Sequence, residues 1–217
     1  MQYDFDRITD EEVGKIVQSL ISLHSNNLQG ISIPPAKKFL EVGPGGGFAM
    51  KAFEKMGFQV TGLETSLPAS EFIRKRLNLA VINSSFEDYE GTEKFDIILL
   101  NHVFEHFLDP IAAIIKLRDH LTDQGILYLR LPDHDSYDRR TYKKNWPAYA
   151  HYHISNFSQK SLQILAEKHG MQVIKSIKYV SEQAPTWAKW LVRLPLVGSF
   201  ITERFNGRTI SVVMKKR

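Results

Sequence analysis

The run Phe39-Leu40-Glu41-Val42-Gly43-Pro44-Gly45-Gly46-Gly47 limits what this chain can fold into more than any other stretch. A short apolar segment ends at an acidic residue and enters a turn with glycine at 43, 45 and 47. Glycine carries no Cβ, so such a turn can be tight and can bring main-chain N–H groups close to a ligand. A strand entering a glycine turn and then a helix is the opening of an α/β unit that holds a nucleotide-like ligand at its carboxyl edge. Two familiar versions are excluded by single residues. The dinucleotide fingerprint G-x-G-x-x-G needs a third glycine or alanine where Phe48 stands, and the P-loop's Gly-Lys-Ser/Thr is missing. What remains, E-x-G-x-G-x-G, suits a ligand with a ribose and an amino acid group but no pyrophosphate.

The following residues keep the alternation of strand and helix. Phe48 to Met56 places Met50, Phe53 and Met56 on one helical face and stops at Gly57. Phe58 to Leu63 alternates like a strand and ends at Glu64, 21 residues after Gly43. An acidic residue at about that spacing can accept hydrogen bonds from both ribose hydroxyls. Ala80-Val81-Ile82 is a short apolar strand that runs into the polar stretch Asn83 to Asp88. Phe95 to Leu100 is continuously apolar, as the middle strand of a parallel sheet requires. It leads through Asn101-His102-Val103-Phe104-Glu105-His106-Phe107-Leu108-Asp109-Pro110 into a helix over Ile111 to Leu121, with Pro110 suited to its first turn. Asp123-Gln124-Gly125 predicts a turn, and Ile126 to Pro132 a fifth strand.

Taken together these residues resemble the class I S-adenosylmethionine (SAM)-dependent methyltransferases. The glycine run is similar to their first motif, and Asn101 to Pro110 resembles a passage of the small ubiquinone-biosynthesis-type members. The resemblance implies an α/β, Rossmann-like fold with a seven-stranded mixed sheet in the order 3-2-1-4-5-7-6 and helices on both faces. It implies one domain over 1–217, with an N-terminal helical cap over 1–30 and an apolar connection, 181–208, between the last two strands. It places SAM across the ends of the first, second and fourth strands, with S-adenosylhomocysteine (SAH) as product. Glu41, Gly43, Gly45 and Gly47 would meet the methionine half, Glu64 the ribose, and Ser85, Phe86 and Glu87 the adenine. Thr65 joins the cofactor contacts, and Asn101 and His102 would offer backbone groups to the methionine part. The acceptor implied is a small molecule methylated at oxygen.

SAM's sulfonium is an activated leaving group, so the protein's main task is placing nucleophile and methyl in line. A base is needed only where the acceptor must lose a proton. His102, His106, His151 and His153 are the candidates, because an imidazole suits that transfer near neutral pH; a packing role stands open for each. His102 to His106 also spells H-x-x-E-H, the inverted zinc-protease pattern. That site needs two histidines one turn apart on a regular helix and a third ligand. Here the first follows directly on a buried strand, so no metal is expected.

At 217 residues, 43% of them hydrophobic, the chain can bury a substantial core. The absence of cysteine excludes disulfides and thiolate chemistry and fits a cytoplasmic protein. Met1 to Asp6 lacks the basic start and apolar core of a signal peptide. A net charge of +4 is too small an excess to predict a nucleic-acid partner. Asp10 to Leu28 carries Val13, Ile16, Val17, Leu20 and Leu23 at helical spacing, and whether Tyr3 and Phe5 reach a ligand is left open. Asp133 to Tyr152, with Trp146, reads as a loop; a helix follows from a Ser158 cap to Gly170, then strands over 171–180 and 209–214. The apolar stretch 187–201 fits packing on the sheet edge, a lid, a dimer contact or a membrane-surface contact, and nothing fixes the oligomeric state. Two rivals remain: a nicotinamide-dependent oxidoreductase, opposed by Phe48, and a methyltransferase-like protein that binds a nucleoside without turnover.

Overall fold

A computed structural model describes residues 7–34, 37–192 and 197–217; Tyr3, Phe5 and residues 193–196 of the apolar connection lie outside the described residues. Seven strands form one mixed sheet in the order β3-β2-β1-β4-β5-β7-β6, as the resemblance implied. They are β1 (Lys38–Val42), β2 (Gln59–Leu63), β3 (Ala80–Ile82), β4 (Phe95–Asn101), β5 (Leu121–Pro132), β6 (Met171–Val180) and β7 (Asn206–Lys216). The helices are α1 (Asp10–Leu28), α2 (Phe48–Lys55), α3 (Leu67–Phe72), α4 (Pro110–Asp119), α5 (Tyr137–Tyr142), α6 (Gln159–Lys168), α7 (Thr186–Leu191) and α8 (Gly198–Arg204). The chain divides into two compact units: residues up to Asn101 with Lys116–Leu127 and Lys216, and His102–Ile115 with Tyr128–Lys215 and Arg217.

In the first unit β1 pairs in parallel with β2 and β4, and β2 with β3, so Val42 lies beside Leu63 and Leu100. Phe95 to Leu100 are all buried, which is why that strand is apolar without alternation. Phe39 stacks on Phe53 at 4.1 Å, and Phe58 meets Phe53 edge-on at 5.3 Å, fastening α2 to the sheet. Thr9 caps α1 in a reciprocal pairing with Glu12, and His24 reaches the Phe53 ring at 5.1 Å. Buried Asp96 accepts from the Lys38 N–H at 2.9 Å and the Thr122 hydroxyl at 3.0 Å, tying β4 to the residues beside it. The turn expected at Asp123 to Gly125 is instead part of β5, which begins at Leu121. Gly125 makes this workable: a Cβ there would come within 2.8 Å of the Phe95 carbonyl oxygen.

In the second unit Ser181 N–H donates to the Phe205 carbonyl and Arg217 N–H to the Gly170 carbonyl. The start of β6 therefore meets the end of β7, and the pair is antiparallel. Ser158 accepts from the Ser161 N–H and starts α6, as its sequence predicted, and Gly170 (φ 75°) ends it. The stretch read as a loop after β5 holds more order than expected, because Ser136 caps α5 by accepting from the Arg139 N–H. Buried Asp133 accepts from the Asn206 amide at 2.6 Å and the Asp135 N–H at 2.9 Å, joining the end of β5 to the start of β7. In the connection between β6 and β7, Ala184, Ala188, Ile201 and Phe205 are buried together, while Trp187 and Trp190 of α7 are 54% and 71% exposed. Among the described residues no helix is long and apolar enough to cross a membrane.

Candidate functional site

The glycine turn leaves β1 with Gly43, Gly45 and Gly47 all at positive φ (66°, 54° and 69°). Two of these glycines do different work. A Cβ on Gly47 would stand 2.7 Å from Ile73 Cγ1, so this glycine serves packing. Around Gly45 no atom of the described residues other than its chain neighbours lies within 4 Å of the place a Cβ would take, so that side of the loop is open to a ligand. The turn is held by Gly43 N–H to the Leu63 carbonyl (2.8 Å) and Gly47 N–H to the Pro44 carbonyl (2.9 Å).

Glu64 follows β2 and is buried. One of its carboxylate oxygens accepts from the Gly45 N–H and the other from the Ser66 N–H, both at 2.8 Å. Each oxygen keeps a lone pair, so the group can accept further hydroxyls without releasing the loop. Glu41, inside β1, is 2% exposed. Burial pushes its carboxyl up to about 8; a hydrogen bond from the Met50 N–H opposes that rise and the nearby Glu64 charge adds to it. Among the described residues its Oε2 has no hydrogen-bond partner. An orphaned buried oxygen, a loop open beside Gly45 and an acid with spare lone pairs fit a cationic nucleoside ligand.

The third expected contact region is built differently from its sequence reading. Ser85 accepts from the Asp88 N–H (3.0 Å) and donates to the Asp88 carboxylate (2.7 Å), closing a local turn. Phe86 is buried, its ring edge-on to His120 at 5.7 Å and under the Lys116 ammonium at 5.2 Å. Glu87 is exposed, and its carbonyl accepts from Lys116. Asn83, whose residue type and position carry no signal of this role, donates to the carbonyls of Glu64 (2.7 Å) and Thr65 (3.0 Å) and so links β3 to the acidic turn. Asn101 is half-buried at the end of β4.

The second unit gathers three of the four candidate histidines around one carboxylate. His102 has φ 57°, a left-handed conformation uncommon outside glycine, and its N–H donates to the Arg130 carbonyl at 2.7 Å. Its Nδ1 stands 3.4 Å from Oε1 of Glu105. Phe104 to His106 form a single 3-10 turn, so His102 and His106 do not share a regular helix. His106 Nδ1 lies 2.8 Å from the Tyr152 carbonyl and His153 Nδ1 2.8 Å from the Ala148 carbonyl. The His106 and His153 rings are 4.9 Å apart. Exposed His151 stands apart from this group, edge-on to Tyr152. In sequence Glu105 is only a letter of the H-x-x-E-H spelling; its environment, 1% exposed beside three imidazoles, comes from the fold.

The family described as Methyltransferase domain matches residues 14–176, well over half of the chain. A ubiquinone biosynthesis O-methyltransferase of Actinobacillus pleuropneumoniae serotype 5b (strain L20) is 31% identical over 103 residues, 42% of this chain and 44% of that protein. The corresponding protein of Rhodopseudomonas palustris (strain TIE-1) is 24% identical over 149 residues, 66% of this chain and 55% of its own length. The chain thus spans about half the length of the curated relatives it matches. The plantazolicin methyltransferase BpumL in complex with SAH superposes with a TM-score of 0.63 at 17% identity, over 99% of this chain and 88% of that one. A SAM-dependent methyltransferase from Archaeoglobus fulgidus gives 0.63 at 16% identity, over 93% and 94%. At these identities the structures are similar in fold.

Proposed function

The chain belongs to the methyltransferase-domain family, and from that premise we propose that it transfers the methyl group of SAM to an oxygen of a small-molecule acceptor. The observation that carries the reading is the Gly45–Glu64 arrangement: a left-handed glycine with open space on its Cβ side, hydrogen-bonded to a buried acid at the end of the neighbouring strand. When bound, SAM supplies a sulfonium whose methyl is already activated. Glu41, Gly43, Gly45 and Gly47 would hold its methionine half, with the unpartnered oxygen of Glu41 set against positive charge. Glu64 and Thr65 would take the ribose. Ser85, Phe86 and Glu87 would meet the adenine through backbone groups, since the Ser85 hydroxyl is engaged and the Phe86 ring is packed. Oxygen as the methylated atom is supported by the O-methyltransferases among the relatives.

If the acceptor must lose a proton, a histidine can take it only through a free ring lone pair. The carbonyls beside Nδ1 of His106 and His153 require an N–H there, which leaves Nε2 of each as the lone-pair atom in the neutral ring. Calorimetry with SAM, SAH and NAD tests the reading. SAM and SAH bind and NAD does not; NAD binding without SAH binding overturns it. With SAM bound, a mass gain of one methyl on a hydroxylated aromatic or aliphatic acceptor completes the case, and SAM binding with no transfer favours the non-catalytic alternative.

A further inference from the structure

We propose that Glu105, His106 and His153 form a binding site for one divalent transition-metal ion of the zinc class. It does not rest on the methyl-transfer reading and would stand if no cofactor bound. The three residues each offer one ligand atom, and these atoms lie within 4.8 Å of one another. One comes from a carboxylate and two from imidazoles.

Three observations point to a cation. Glu105 is 1% exposed, and among the described residues neither of its carboxylate oxygens has a hydrogen-bond partner. Such a group costs several kcal/mol to bury unless a counter-charge or a set of donors reaches it. His102 Nδ1 stands 3.4 Å from that carboxylate, beyond a good charge-assisted bond. Second, His106 and His153 both direct Nδ1 at a backbone carbonyl, at 2.8 Å each. That contact fixes the tautomer and leaves Nε2 for a ligand bond, the outer-shell arrangement that metal-binding histidines use. Third, the two segments are locked together by main chain. Ser155 N–H donates to the Glu105 carbonyl, and His153 N–H closes a turn on Ala150. The donors are therefore brought to one place by the fold rather than by the reach of long side chains.

The donor set decides the metal. Two nitrogens and one carboxylate oxygen favour zinc and its neighbours over magnesium or calcium, which prefer all-oxygen shells. A tetrahedral ion with bonds of about 2.0–2.1 Å holds its ligand atoms about 3.3 Å apart, so binding must draw the side chains together by roughly an ångström. Three protein ligands leave a fourth position for water or for an acceptor oxygen. His102 can serve the same carboxylate as an outer partner. The H-x-x-E-H spelling hides this site, because the second imidazole comes from the turn after Trp146 and not from His102.

The test uses the full chain, freed of any affinity tag and stripped of metal. Zn(II) titrated by calorimetry binds one per chain with a Kd of about 1 μM or tighter. Co(II) produces the visible absorption of a four- or five-coordinate centre, which Zn(II) abolishes. His153→Ala and Glu105→Gln each weaken binding by about 100-fold or more, with the cooperative thermal transition of each variant kept as the control for folding. Zinc binding weaker than about 1 mM overturns the proposal. Unchanged affinity in a folded Glu105→Gln chain does so too, because it places the ion elsewhere. Saturation by Mg(II) in preference to Zn(II) also overturns it.

Discussion

Glu64 and Glu105 are buried carboxylates, each just past the end of a strand in the sheet, yet their surroundings are opposite. Glu64, after β2, accepts two backbone N–H groups at 2.8 Å. Glu105, after β4, accepts none from the described residues. The first holds one donor on each oxygen before any ligand arrives and fixes the shape of the glycine turn. The second is a carboxylate that the chain has enclosed without a hydrogen-bond donor among the described residues, His102 at 3.4 Å being its neighbour. Glu41 lies between these extremes, with one bond from Met50 and one orphaned oxygen. Burial alone says little about a carboxylate; what its oxygens accept says whether it is part of the scaffold or waiting for a partner.

The contrast can be broken in four ways. Glu64→Ala leaves the Gly45 and Ser66 N–H groups without their acceptor and should cost about 3 kcal/mol in urea unfolding, together with a 10–100-fold loss of SAH affinity. A loss under about 1 kcal/mol would remove the distinction from Glu105. Glu41 should show itself through pH. Its folded pKa is raised to about 8, so the folded chain holds a proton that the unfolded chain releases at ordinary carboxylate values. The associated stability is complete below the unfolded pKa, declines as pH rises, and is gone once pH passes the folded value near 8. Glu41→Gln should flatten that decline and raise stability at pH 8.5 by about 2 kcal/mol in denaturant titrations. Asp133, also raised by burial, gives the remaining slope the same sign. On the proposed function, SAM affinity in the parent chain rises with pH up to about 8, and Glu41→Gln removes that rise.

Smaller effects sharpen the picture. Gly45→Ala should cost about 1 kcal/mol for its positive φ, yet abolish SAH binding in calorimetry, because the added methyl fills the open side of the loop. Least of all, Glu105→Met in metal-free protein should change stability by under about 1 kcal/mol or increase it, since an apolar group replaces a buried carboxylate that accepts no hydrogen bond among the described residues. A loss of about 3 kcal/mol there would mean that Glu105 is a scaffold residue like Glu64.

Much of the first unit was legible from sequence, because its signals are local. The apolar run Phe95 to Leu100, the glycine turn and the spacing to Glu64 each state their own structure, and α1 spans Asp10–Leu28 as its periodicity predicted. The misses share a cause. β5 begins at Leu121 because Gly125 lets its chain approach the Phe95 carbonyl, a contact that no pattern within the segment records. Asn83 binds two carbonyls of a turn 18 and 19 residues earlier. The Glu105 cluster depends on carbonyls of Ala148 and Tyr152 turning two imidazoles, and neither carbonyl has a side-chain signature. Ser85 shows the converse: its residue type suited a ligand contact, while its geometry gives it to Asp88.

The placement of the three tryptophans has a practical outcome. Trp146 is 2% exposed beside His134 and Tyr149, whereas Trp190 is largely exposed and Trp187 is half-exposed, edge-on to Phe205. Replacing the two on α7 with phenylalanine leaves a single, blue-shifted emitter within the histidine-bearing segment. Stopped-flow fluorescence of that variant would then time events at Trp146 without any attached dye.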